Sequence, residues 1–292
     1  MSSSARISAC VIAFQEADRI GDCLRSLAFC DEIVVVDSGS TDGTQDIARG
    51  LGAVVVDHAW PGFGPQKDLA AQHASHDWIL QLDADERVSR TLRHEIETLR
   101  EGGFAEHAGW DMPRCTNYLG AWIVRGGWYP DRQLRLYDRR RGSWSVGREP
   151  HPRVGVEGTV GRLSGDLFHD TYRSFGHHLA TIDSYTTIMA QDMAERGKRA
   201  RTLDLFTHPL ARFVRFYVLK RGFLDGWRGA VIAITAAYYA FLKYAKLMVL
   251  QEGRATQRPQ DAQTGTFEGI DDRTAVGADE SAPRSRAAER TR

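Results

Sequence analysis

Trp78-Ile-Leu-Gln-Leu-Asp-Ala-Asp-Glu86 is a short apolar run that stops abruptly at three carboxylates. Trp78 to Leu82 has the length and composition of a buried strand. A buried strand that ends in clustered acids carries them at its C-terminal edge, where open α/β sheets bind ligands. Asp83 and Asp85 are two residues apart, and in extended backbone such residues point to the same side. Two like charges on one side repel unless a cation lies between them. A Mg²⁺ or Mn²⁺ ion carrying a diphosphate meets that need, because Mg²⁺ is held by one or two carboxylates plus substrate phosphates. The plainer alternative is that Asp85 and Glu86 open the next helix, where acids are favoured.

Working outward, the first third alternates strand and helix. Ile7 to Phe14 predicts a strand leading into Gln15-Glu16-Ala17-Asp18. Ile20, Cys23, Leu24 and Leu27 have helical spacing. Glu32 to Asp37 is a second buried strand, rich in β-branched residues and again ending at a carboxylate. Ser38-Gly-Ser-Thr-Asp-Gly-Thr44 is a cluster of turn residues before a helix over 45–51. Ala53 to Val56 predicts a third strand, 60–64 a loop and 65–74 a helix. This order implies parallel βαβ units, with Glu16, Asp37, Asp83 and Asp85 along one edge of one sheet. The turn after Asp37 matches neither G-x-x-x-x-G-K-[ST] nor G-x-G-x-x-G, which disfavours a P-loop NTPase and a dinucleotide oxidoreductase. Asp37 is poorly placed to meet a phosphate but can accept hydrogen bonds from a base or ribose; a tight turn with Asx caps is the structural alternative.

The chain has 292 residues, 42% hydrophobic and 26% charged, with a formal net charge of 0. That is ample material for a core and gives no bulk preference for an acidic or basic partner. Cys10, Cys23, Cys30 and Cys115 form no C-x-x-C pair and no metal spacing, as expected for core thiols in a reducing compartment. The N-terminal Met1 to Cys10 lacks the apolar core of a signal peptide, so the body of the protein is expected in the cytoplasm.

Three segments taken together, Ala13-Phe-Gln-Glu16, Val34 to Thr44 and Leu82-Asp-Ala-Asp-Glu86, resemble family 2 glycosyltransferases of the GT-A fold, a Rossmann-like, mainly parallel sheet flanked by helices. The resemblance implies inverting transfer of a sugar from a nucleoside-diphosphate donor, with a UDP-sugar favoured. It implies that Phe14, Glu16 and Asp37 hold the nucleoside and that Asp83 and Asp85 form the D-x-D pair, facing ribose and metal respectively. Lys67 stands where many members have an arginine near the base or diphosphate. Its alternative is a solvated helix residue.

Ser89 to Leu99 is amphipathic, with Ser89 as N-cap. Gly109 to Tyr118 predicts a strand and turn. Gly126 to Asp138 is dense in aromatics and arginines; aromatic faces suit sugars, and the forks of Arg132 and Arg135 suit a diphosphate. With Glu149-Pro-His151 and Leu163 to His169, this segment resembles a narrower group, the lipopolysaccharide inner-core β-1,4-glucosyltransferases, over roughly residues 7–250. Inverting transfer needs a base on the acceptor hydroxyl. Many members of that group carry a His-Glu pair here, whereas this chain departs from it and reads Glu149-Pro-His-Pro152; Glu149 is the first candidate and His151 the second, with Asp166 and Asp170 as lesser rivals. His169 is implied near the metal or diphosphate, as a late histidine is in some GT-A enzymes.

The last third changes character. Phe175 to Arg196 predicts a helix. Residues 196–246 hold eleven basic residues against two acids, interleaved with ten aromatics. On apolar, amphipathic helices this composition suits the headgroup layer of an anionic membrane. Ala230 to Leu242 is uncharged but only thirteen residues long, short of the roughly 20 that span a bilayer, so monotopic attachment is expected. A helical pair packed on the catalytic domain or on a second subunit, in a homo-oligomer, is the alternative. No nucleic-acid motif is present. Three regions result: a catalytic domain over 1–172, a helical region over 173–252 and a tail over 253–292 too polar to fold alone. A sugar-phosphate nucleotidyltransferase and a non-catalytic glycan or lipid scaffold remain open beside the membrane-associated, metal-dependent glycosyltransferase acting on a lipid-linked saccharide.

Overall fold

The structure is a computed structural model that describes residues 5–104, 106–146 and 153–255. Glu149 and His151, the two candidates for the base, lie outside the described residues, as does 256–292. Of the described residues, 5–252 form one compact unit.

The first half is the expected βαβ series. Strand β1 (Ile7–Ala13) leads to helix α1 (Ile20–Ser26), β2 (Glu32–Asp37) to α2 (Thr44–Gly50), β3 (Val54–Asp57) to α3 (Phe63–His73), and β4 (Trp78–Asp83) closes it. These strands are parallel in the order β3-β2-β1-β4, with Ala13 beside Asp37 and Ile12 beside Asp83. Helix α3 begins two residues before the position expected, at Phe63, because Pro65 falls in its first turn, where no N–H is needed.

The second half extends the sheet with mixed polarity. It comprises β5 (Glu86–Val88), α4 (Arg90–Glu101), β6 (Gly109–Tyr118), β7 (Ala121–Ile123), β8 (Asp131–Asp138), β11 (Val160–Arg162) and β12 (Leu167–His169); β9 (Gly142–Val146) and β10 (Arg153–Val156) form a separate hairpin. The path continues β4-β8-β6-β12-β5, with β8 antiparallel to both neighbours. Gly109 to Tyr118, expected to be a strand and turn, is one ten-residue strand. Its Pro113 falls between the stretch paired with β11 and the stretch paired with β12, so its missing N–H costs no ladder bond on that side. The pairing of β8 to β6 steps from Trp110–Leu136 to Asp111–Leu134, so Arg135 is an extra, bulged residue. A bulge re-aims a side chain, often beside an active site.

One face of the sheet buries Leu80, Leu82 and Leu136 against α1 and α4; the other buries Ile79 and Tyr137 with α3 and Trp144. Ser89 caps α4 as expected, accepting from the Leu92 N–H at 3.1 Å.

Beyond the sheet come α5 (Phe175–Glu195), α6 (Asp204–Val214), a π-helical turn (Arg215–Leu219), a 3₁₀ turn (Gly222–Asp225) and α7 (Gly226–Ala255). The thirteen-residue apolar run is thus one part of a 30-residue helix. By length and composition the segment Gly222–Gly253 is enough to cross a membrane. This corrects the expectation that the segment is too short. The short count came from stopping at Lys243, whereas a helix carries single charges along its flank without ending.

Candidate active site

The loops after β1 and β2 are stitched together by the acidic turn. Asp37 is fully buried, and its carboxylate accepts from the N–H groups of Gly39 and Ser40, from Ser40 Oγ and from Gln45 Nε2, all within 3.0 Å. In return Ser40 Oγ accepts from the Gln15 N–H, Thr44 Oγ1 from the Glu16 N–H and Asp42 from the Ala17 N–H. Asp37 therefore shapes its own turn, the Asx alternative. Three of these donors converge on Oδ1, while among the described residues Oδ2 accepts only from Ser40 Oγ. The bend leaves Phe14 at the tip of β1, 56% exposed.

Asp83 and Asp85 do not share a side. The strand ends at Asp83, so the turn that follows releases Asp85 from the two-residue alternation. Asp83 joins a buried charge network: Lys67 Nζ is 2.7 Å from Oδ1 and Arg135 Nη2 is 2.9 Å from Oδ2. The same Arg135 nitrogen is 2.7 Å from Glu86 Oε1, which also meets Arg114 at 3.0 Å, and Arg114 pairs with Asp131 at 2.6 Å. Glu86 Oε2 accepts from the Asp83 N–H at 3.0 Å. Lys67 lies 4.4 Å from the centroid of the Trp144 ring. Three cations and three carboxylates balance. Burial is the largest single influence and would raise Asp83 and Glu86, but the surrounding cations together, Lys67, Arg135 and Arg114 for Asp83 and Arg135 with Arg114 for Glu86, hold both below the usual carboxylate range. Burial lowers Lys67.

This network corrects three expectations. Lys67 is not a solvated helix residue; it is buried against Asp83. Arg135 is 2% exposed and committed to Asp83 and Glu86. Arg132 lies elsewhere, bonded to the Asp111 carboxylate and the Leu163 carbonyl, and does not reach the Asp83–Asp85 edge.

Asp85 faces the other way, into an open cavity of about 360 Å³ lined by Arg19, Arg87, Asn117, Asp170, Tyr172 and Arg173 among others. Its carboxylate is 3.3 Å from His169 Nε2 and 3.7 Å from Arg19. His169 Nδ1 lies 3.4 Å from Thr116 Oγ1, a contact that orients the ring. Glu16 sits beside them, 3.0 Å from Arg173, and burial together with the Asp85 charge pushes its carboxyl up to about 7. Arg87 pairs with Asp170 at 2.8 Å. Among the described residues no three His, Cys, Asp or Glu side chains converge. One carboxylate and one oriented imidazole do converge, and that donor set fits a divalent ion whose remaining ligands are phosphate oxygens and water.

The chain is similar to the lipopolysaccharide core biosynthesis glycosyltransferase LpsC of Rhizobium meliloti (strain 1021), at 32% identity over 266 residues, covering 88% of this chain and 97% of that protein. Residues 8–141 match the family model for glycosyl transferase family 2. The protein is a family 2 glycosyltransferase. The uncharacterized glycosyltransferase RT0209 of Rickettsia typhi (strain ATCC VR-144 / Wilmington) is 30% identical over 259 residues, 84% of this chain and 87% of that one. Among solved structures, the mannosyltransferase PcManGT from Pyrobaculum calidifontis, in complex with GDP-Man and Mn²⁺, superposes with a TM-score of 0.49 at 16% identity, covering 85% of this chain and 88% of that one. The expected GT-A fold is the fold of this glycosyltransferase, and membership of the family sets aside the nucleotidyltransferase alternative. Of the family's motif positions, the fold brings Phe14, Glu16, Asp37, Asp83, Asp85 and His169 to one sheet edge. Arg19, Arg87, Arg173 and Arg114 were missed, and Glu86 was read only as a carboxylate at the end of the strand, with no partner assigned. Arg19 and Arg173 could have been found only as the basic residues flanking acidic turns, and Arg114 carried no signal at all.

Proposed function

We propose that this glycosyltransferase moves a sugar, with inversion, from a nucleoside-diphosphate donor, a UDP-sugar favoured, to a hydroxyl of a lipid-linked saccharide. The observation that carries the proposal is Asp85 in the cavity wall beside Arg19 and Arg173, with His169 Nε2 3.3 Å from its carboxylate. In it, Asp85 and His169 would hold a Mg²⁺ or Mn²⁺ ion. When bound, that ion supplies Lewis acidity toward the departing diphosphate. Arg19 and Arg173 place two guanidinium forks beside it, the geometry that pairs with phosphate oxygens. Phe14 offers an exposed ring to the base. The Lys67–Asp83–Arg135–Glu86 network fixes the backbone on which Asp85 turns. Glu149 is the proposed base for the acceptor proton, with His151 second. Asp170, in the cavity and held by Arg87, is the alternative among the described residues. E149Q and D170N variants separate the two.

The lipid-linked acceptor rests on the C-terminal helices. Leu203, Phe206, Leu210, Leu219 and Trp227 are each more than half exposed, and no residue of α6 is buried. Arg212, Arg215, Lys220 and Arg221 lie among them. Basic residues on an exposed apolar surface match an anionic headgroup layer. Helix α7 buries Ile232, Ala233, Ala240 and Leu247, and its Lys246 is 2.7 Å from Asp183 of α5. These attachments support a helix that lies on a bilayer instead of crossing it, and a protein peripheral on the inner face of the cytoplasmic membrane.

The test is calorimetric titration with UDP, GDP and ADP, with and without Mn²⁺, on wild type and D85N. Mn²⁺-dependent binding of one diphosphate, absent in D85N, is expected. No binding of any diphosphate would overturn the donor site.

A further inference from the structure

The β6–β7 hairpin carries an aromatic side chain that neither the fold nor the donor site uses. Trp122 pairs across the hairpin with Asn117, a residue of the cavity wall. Directly paired residues in antiparallel strands share a face of the sheet. Phe168 of β12 pairs with Cys115 on one side and Arg87 on the other, and Cys115 and Asn117 are two residues apart on β6. Arg87, Phe168, Asn117 and Trp122 therefore stand on one face. The rings of Trp122 and Phe168 meet at 4.7 Å, which props the indole from behind while leaving it 39% exposed. Asp170 follows β12 and comes beside Asn117, and its N–H bonds the Asp85 carbonyl at 3.0 Å. A row Trp122, Asn117, Asp170, Asp85 thus crosses the sheet. At one strand spacing per step, Trp122 stands about 14 Å from Asp85.

The hairpin is also held in place. Its turn puts Leu119 (φ 49°) and Gly120 (φ 79°) in the left-handed region, the geometry of a tight two-residue connection. Leu119 is a costly residue there, and Arg228 of α7 secures it, donating to the Leu119 carbonyl from Nε at 3.0 Å and Nη2 at 2.8 Å. Leu119 and Gly120 line the same cavity.

We propose that Trp122 and Asn117 form the acceptor subsite: a pyranose ring of the saccharide lies on the indole face, and the Asn117 amide, with two donors and an acceptor, bonds its hydroxyls. The inference rests on the saccharide-acceptor reading above. A rigid apolar platform with a few convergent polar groups is how ligand sites fix orientation. The spacing leaves room between Trp122 and Asp85 for the acceptor hydroxyl to reach the donor, with Asp170 on the line between them.

The test uses the full chain with 5-fluorotryptophan in place of its seven tryptophans, the Trp122 resonance being identified by its loss in W122F. The probe is the water-soluble oligosaccharide left after complete deacylation of bacterial lipopolysaccharide. The Trp122 resonance should move with the oligosaccharide and stay fixed with UDP and Mn²⁺. In W122A the KM for oligosaccharide should rise about tenfold, the factor that corresponds to 1.4 kcal/mol, with the KM for donor unchanged; W122F should recover most of the loss. Should W122A not fold, N117A is expected to show the same split. Glycosylation of the oligosaccharide without movement of Trp122 overturns the subsite alone. Movement only with phosphatidylglycerol vesicles also overturns it, making Trp122 a lipid contact. An oligosaccharide that moves no resonance and is not glycosylated overturns the acceptor class and the subsite together.

Discussion

Replacing Glu86 by Gln should cost this protein stability although the shape of the side chain is kept. Glu86 is fully buried and receives Arg135 at 2.7 Å, Arg114 at 3.0 Å and the Asp83 N–H at 3.0 Å. The glutamine oxygen can still accept from the arginines, but its NH₂ then points at the Asp83 N–H, donor against donor. The buried set goes from three cations and three carboxylates to an excess positive charge. Removing one partner of a buried ion pair costs about 3–5 kcal/mol. At about 2–4 °C per kcal/mol for a unit of this size, Tm should fall by roughly 6–20 °C. Restoring neutrality with R135Q in the E86Q background should recover part of the loss, giving a coupling of about 1–3 kcal/mol in the double-mutant cycle. Circular dichroism during thermal and urea unfolding reads all three variants. An E86Q protein within about 1 kcal/mol of wild type, or strictly additive single losses, would refute the claim that these charges act as one balanced unit.

D85N should show no Mn²⁺-dependent binding of UDP and lose transfer by roughly 10²–10³-fold, the scale of removing one charge-stabilising group, with Tm unchanged; titration calorimetry and a donor-release assay read both. Burial lowers His178 to about 4, its Nδ1 lying 2.8 Å from the buried Tyr118 hydroxyl. Because this folded pKa is depressed below the free value near 6.5, stability should fall as pH drops from about 6.5 toward 4. H178Q should flatten that slope in Tm measured against pH. Glu16 runs the opposite way. Its folded pKa of about 7 exceeds the free value of 4.5, so its contribution is full below 4.5 and is lost as pH rises through 7. Without divalent ions, E16Q should therefore be more stable than wild type at pH 8, on the order of 1 kcal/mol once solvent screening is allowed for, and equal to it at pH 4. Identical wild-type and E16Q curves across that range would remove Glu16 from the charge cluster around Asp85.

The parallel half of the sheet was legible because β2 and β4 are apolar runs closed by a carboxylate, and Glu32–Asp37 and Trp78–Asp83 fall where composition put them. The three-residue strands β11 and β12 were not, since so short a segment has no period and is defined by its partner β6. The arginines show the same limit. A fork-rich stretch such as 131–138 looks like a diphosphate site, but the bulge at Arg135 comes from pairing with β6, and no local signal says that this residue turns inward to Asp83 while Arg132 runs to Asp111. Asp83 and Asp85 were found as a pair and separated by the structure, because alternation holds only while the strand lasts. Trp122 was overlooked for the converse reason: nothing in Gly120-Ala-Trp-Ile marks it until the hairpin sets it opposite Asn117.

Arg228 ties α7 to the turn that roofs the cavity, and Ile232 packs with Tyr118 and Ile123 at the base of the same hairpin. On the reading proposed above, the helix that meets the lipid and the chamber for the acceptor are joined directly at this hairpin. That reading gives the enzyme a fixed working height, with the reach from the bilayer to Asp85 set by the scaffold. An acceptor whose reactive hydroxyl stands nearer to or farther from its lipid would be rejected by distance before any hydroxyl was inspected.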